Sequence, residues 1–107
     1  MGWVYLIVAG LLEIGWPLGL KLAQQEGYRA LGIGAAVIFM AASGFCLFLA
    51  QKTIPMGTAY AVWTGIGAAG AFIVGIAFFG DLSTVGRWLG AALIIAGVVV
   101  MKLTSPA

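Results

Sequence analysis

Turn residues and charges divide this chain into four apolar runs of about 20 residues each, and no other feature constrains the fold as strongly. The first run spans about residues 3–22 and ends at "KLAQQEGYR". The second spans about 30–50 and ends at "QKTIPMG", where Pro55 and Gly57 punctuate the chain. The third spans about 58–79 and ends at "GDLSTVGR". There Ser83 or Thr84 is placed to cap the fourth run, about 85–103, ahead of "TSPA". Hydrophobic residues make up 64% of the chain and charged ones 7%, against roughly a quarter charged in soluble domains. The expectation is an all-α membrane protein, with residues 1–107 forming a single integral domain of four transmembrane helices.

Several other classes fall away. The net charge of +2 includes no basic stripe, so nucleic acid is not an expected partner. Cys46 is the single cysteine and there is no histidine, which leaves neither an intrachain disulfide nor a zinc ligand set. The first run lacks the basic start of a signal peptide and carries Glu13 and Lys21, so it reads as a mature membrane helix.

Orientation in a bilayer follows the Lys/Arg bias of the loops. One side holds the N-terminus, Lys52 and Lys102, and the other holds Lys21, Arg29 and Arg87. This near balance leaves two alternatives: a weakly biased protein fixed by its first helix, or copies that insert both ways and pair antiparallel. Four short helices enclose little polar space, so oligomerisation is expected around any ionisable group at depth. In the fourth run, "WLGAALIIAGVVV" sets Gly90, Ala91 and Gly97 along a path where helix backbones can approach closely.

Within the first run, "AGLLEIGWPLGL" contains an acid, Glu13. It lies about ten residues into its span, hence about 15 Å deep, near the bilayer centre. A charge there costs roughly 2.5–3.5 kcal/mol on insertion scales, and no basic residue lies at the same depth. The carboxyl group must be protonated, solvated in a cavity, or neutralised by an arriving cation. One reading is a permanently protonated acid bonding a neighbouring helix. The other is an exchange site, which intramembrane acids usually mark. Trp16 and Pro17 follow on the same helical face, with Gly10 one turn before. The Trp16 indole is a donor able to orient the carboxylate, and Pro17 cannot bond the Glu13 carbonyl, which predicts a bend.

The third run, "TAYAVWTGIGAAGA", sets Tyr60, Trp63 and Thr64 on one face, offering donors and aromatic walls suited to a cation. The second run offers one hydroxyl, Ser43, with Met40 and Leu47 on its face. The economical arrangement has Ser43, Tyr60, Trp63 and Trp16 all bonding around Glu13. Gly65, Gly67 and Gly70 fit the G-x-G-x-x-G pattern of dinucleotide sites, but follow no strand and sit inside a membrane span. They are expected instead to give a closely packed helix that can bend.

With these residues placed, the chain resembles the small multidrug resistance family along its whole length. "EIGW" (Glu13 to Trp16) and "PMGTAYAVWTGIGAAGA" (Pro55 to Ala71) resemble its guanidinium-exporter subfamily. The drug-exporting subfamily typically has a small residue where Trp16 stands. The resemblance implies a transporter rather than an enzyme: an antiparallel, dual-topology dimer of four-helix subunits that exchanges protons for a small organic cation by alternating access, without a cofactor. It implies that Glu13 is the shared proton and substrate site, and that Trp16, Ser43, Tyr60 and Trp63 form the hydrogen-bonding network around it. Gly10 and Met40 would line the pocket, Gly65 and Gly67 would form a kink in the third helix, and Gly90 and Gly97 would form the dimer contact. A bacterial inner-membrane location is implied too, as is the alternative of pairing with a paralogue. Pro17 departs from the subfamily, where alanine is common at that place. Two rival functions stand beside this one: a broader exporter of quaternary ammonium and aromatic cations, and a non-transporting membrane assembly subunit.

Overall fold

In a computed structural model describing residues 1–105, the chain forms four helices, each long and apolar enough to cross a bilayer. They are α1 (Gly2–Ala23), α2 (Arg29–Ala50), α3 (Met56–Phe79) and α4 (Val85–Thr104). At 1.5 Å per residue, helices of this length span about 30–36 Å, which matches a hydrocarbon core.

Local chemistry explains the ends. Gly80 ends α3 in the left-handed region at φ 67°, a conformation that favours glycine. Of the two capping candidates it is Thr84 that caps α4, its hydroxyl accepting from the Arg87 N–H at 3.2 Å. Its neighbour Ser83 instead accepts from the Trp88 indole at 2.8 Å. The third helix begins two residues earlier than the sequence suggested, at Met56 rather than Thr58. Pro55 takes the position before it with an extended backbone (φ −55°, ψ 144°), so Gly57 falls inside the first turn instead of the loop. Pro17 does not break α1, which continues as one helix to Ala23.

Small residues decide the packing. α1 lies against both α2 and α3, α2 meets α3 marginally, and α4 packs chiefly on α3, with Lys102 reaching over the Trp3 ring of α1 at 5.0 Å. Where α1 crosses α2 the backbones touch. A Cβ on Gly19 would stand 2.7 Å from the Ala36 nitrogen, and one on Gly32 would stand 2.5 Å from the Gly19 carbonyl oxygen. Such approach is open only to glycine, and it lets dispersion and weak hydrogen bonds hold helices that gain nothing from hydrophobicity in lipid.

The best-packed region gathers Leu6, Ile54 and Val62, from the start of α1, the α2–α3 connection and the start of α3. The contact between α1 and α3 is therefore tight at the end carrying the N-terminus and more open toward their last turns, where α1 instead packs on α2. Its Cα extents of 48 × 34 × 16 Å describe a slab rather than a closed bundle. No residue of α4 is buried, and apolar side chains such as Phe45, Phe48, Leu93 and Val100 stand exposed on α2 and α4. That surface is stable against lipid tails or another apolar protein face, not against water.

Candidate functional site

Glu13 is half-buried at mid-length of α1, where the slab leaves one side of the helix uncovered. Its Oε1 accepts a hydrogen bond from the Trp16 indole Nε1 at 2.7 Å. One turn of helix brings donor and acceptor together, as the i, i+3 spacing requires. The opposite flank of the side chain rests on α3: a Cβ on Gly67 would lie 2.5 Å from the Glu13 Cγ. The side chain is thus held by an indole at its carboxyl end and by the bare backbone of another helix along its stem. The indole N–H is directed at one oxygen of the acid, so Trp16 favours a single orientation of the side chain.

A second polar group lies one turn earlier. Ser43, fully buried on α2, donates to the carbonyl of Ala9 at 2.7 Å and accepts from the Trp63 indole at 2.8 Å. One hydroxyl therefore ties α2 to both α1 and α3. Ala9 precedes Glu13 by four residues, so the carbonyl that Ser43 holds belongs to the turn that leads into the acid. Ser43 is the one buried polar side chain among the described residues.

The expected single ring of donors around Glu13 is thus resolved into two groups. Trp16 reaches the carboxylate, whereas Trp63 and Ser43 bond each other and the α1 backbone. The hydroxyl of Ser43 is taken up by the Ala9 carbonyl, one turn before the acid, and by the Trp63 indole. Tyr60 packs its ring on Trp63 with centroids 5.6 Å apart, but is 57% exposed and makes no side-chain hydrogen bond among the described residues. Thr64 is also exposed.

The remaining candidates are distributed as follows. Gly10 is buried where a Cβ would come within 2.8 Å of Ile66 on α3, and Met40 is exposed on α2. Gly65 receives α4, since a Cβ there would stand 2.8 Å from the Val98 Cγ2. Gly65, Gly67 and Gly70 are therefore places of close approach along an unbroken α3, with Gly70 receiving Ile14. Gly90 and Gly97 have open space where a side chain would be. Close contacts that sequence reasoning passed over include Gly15 against the Phe39 ring, and the Gly19–Gly32 crossing. Their signal was present as small residues spaced by four, Gly15 with Gly19 and Gly32 with Ala36.

Four membrane-crossing helices with an acid at mid-span, oriented by an indole, define a small multi-pass membrane protein with an ionisable group inside its spans. Residues 1–94 match the family model described as Small Multidrug Resistance protein. The chain belongs to the small multidrug resistance family. It is 46% identical over 106 residues to the guanidinium exporter of Yersinia pseudotuberculosis serotype I, covering 98% of this chain and 100% of that one. It is 46% identical over 110 residues to the guanidinium exporter of Salmonella typhimurium strain LT2, with 98% and 99% covered. It is 44% identical over 106 residues to that of Citrobacter freundii, again with 98% and 99% covered. The spans and these bacterial relatives place it in the inner membrane as a multi-pass protein.

Proposed function

We propose that this protein exports guanidinium and small singly substituted guanidinyl cations, such as guanylurea, in exchange for protons. The observation that carries the reading is the Trp16–Glu13 bond of 2.7 Å, which turns a mid-membrane carboxylate into an oriented acceptor. Relatives at 46% identity named guanidinium exporters support the choice of cation.

Guanidinium is planar and donates two parallel N–H bonds to a carboxylate, a fit that a bulky quaternary ammonium cannot reproduce. With Trp16 on Oε1, the bound ion takes its remaining bonds from the uncovered side of the slab. Protons and cation compete for the same acid. Arrival of either one displaces the other, and the reorienting protein carries whichever is bound.

The functional unit is an antiparallel dimer that brings two Glu13 side chains to one cavity. Support comes from the balanced Lys/Arg distribution and from the exposure of Met40, Tyr60 and Gly97, which a second copy would cover. Within it, Trp16 orients the acid, and Ser43 and Trp63 brace the helices that carry it. Tyr60, Met40 and Gly10 line the cavity, the Gly65–Gly67 segment of α3 bends during exchange, and Gly90 and Gly97 form the contact between subunits. The test is solid-supported membrane electrophysiology on purified protein across guanidinium and tetraalkylammonium series. Currents with guanidinium and guanylurea and none with tetrapropylammonium are expected. Equal currents for both series would replace this reading with a broad cation exporter.

A further inference from the structure

A groove of about 180 Å³ opens between α1 and α3 beyond Glu13, toward the last turns of both helices. Its floor is apolar, running from Ile14 past Pro17 and Leu18 on α1, with Ala71, Val74 and Gly75 opposite on α3. From Ile14 to Lys21 it extends about 10 Å along α1. Its mouth carries two charges of opposite sign, Lys21 from the last turn of α1 and Asp81 just beyond α3. Both helices end on the same side of the molecule, so both charges lie at one membrane surface.

Asp81 is held there by the fold. Its N–H bonds the Gly75 carbonyl at 3.1 Å, and its carboxylate folds back over Gly75 itself, where any side chain would collide with Oδ2. An exposed acid free to enter water is instead laid along the groove. Lys21 lines the same groove, yet the two form no ion pair among the described residues, which leaves a gap between a cation and an anion at the headgroup level.

We propose that this groove binds one phospholipid with an ethanolamine headgroup. The part of one acyl chain nearest the headgroup occupies the apolar floor, the phosphate faces Lys21, and the primary ammonium donates to Asp81. The chemistry discriminates among lipids. A glycerol headgroup offers Asp81 only neutral hydroxyl donors, weaker partners for a carboxylate than an ammonium, and leaves the lipid's negative charge uncompensated beside it. A choline headgroup has no N–H to give. A helix of another protein is too wide for a groove of this volume, and a small polar cation gains nothing from its apolar floor. The proposal does not depend on which cation the protein exports.

The test is native mass spectrometry of the full-length protein released from nanodiscs containing equal parts phosphatidylethanolamine, phosphatidylglycerol and phosphatidylcholine. Wild type is expected to retain phosphatidylethanolamine over either competitor by about fivefold, the scale of a partly exposed charge-assisted contact. Asp81→Asn and Lys21→Gln should each reduce that ratio toward one. Val74→Phe, which fills the floor, should lower retention of all three lipids; if it does not fold, the two charge variants carry the test. Equal retention by wild type, a preference for phosphatidylglycerol, or an ethanolamine preference that both charge variants keep would each overturn the proposal.

Discussion

Gly67 on α3 lies against Glu13 so closely that a Cβ would stand 2.5 Å from the acid's Cγ. The glycine is the wall that holds the carboxylate toward Trp16, whose indole bonds it at 2.7 Å. A helix contact and the orientation of the functional acid are therefore one feature. The same contact gives Gly67 a role distinct from bending the helix.

Gly67→Ala should consequently act on function more than on folding. An added methyl in a packed contact costs about 1–3 kcal/mol, and turning Glu13 away from Trp16 is the easiest relief. The exchange rate in proteoliposomes is expected to fall at least about tenfold, a barrier change of that size, while expression and helicity persist. An unchanged rate would show that the acid tolerates displacement.

Ser43→Ala should act the other way, on stability. It leaves the half-buried Trp63 indole without its acceptor, whereas the Ala9 carbonyl still has the helix bond of α1. The expected loss is about 1–3 kcal/mol, read as a lower thermal midpoint by circular dichroism in detergent. Ser43→Thr keeps a hydroxyl and should lose less, unless its methyl is not accommodated at this fully buried position.

Pro17→Ala should stabilise the protein. It restores the N–H that bonds the Glu13 carbonyl within α1, a helix bond that proline removes. A gain of about 1–3 kcal/mol is expected in the same thermal experiment, with the lower figure favoured because membrane helices tolerate proline well. An unchanged or lower midpoint would mean that the freed carbonyl already has a compensating partner.

The sequence made the helices legible because membrane spans are set by length and apolarity, with the connections marked by Pro55, Gly80 and Thr84. The Trp16–Glu13 bond was legible as well, since both residues lie on one helix and the spacing fixes their separation. Everything that depends on two helices was less so. Ser43 and Trp63 were marked as deep polar groups needing partners, but their meeting with the Ala9 backbone depends on how α2 rotates against α1. Periodicity within one helix carries no information about that rotation. Gly67 illustrates the same limit: a glycine in a run of glycines looks like flexibility until the facing side chain is known. In α4, Gly90 and Gly97 have open space within the single chain, whereas the α1–α2 crossing uses Gly19 and Gly32. Small-residue spacing marks close approach without naming the partner helix.

The central claim is that one acid binds proton and cation in turn. It is tested most directly by guanidinium uptake driven by a pH gradient into proteoliposomes containing Glu13→Gln, measured beside wild type. Glutamine keeps the size of the side chain and an oxygen able to accept from Trp16, but can neither ionise nor release a proton. The account predicts uptake at the level of protein-free vesicles. Uptake by the variant that still follows the pH gradient would contradict it.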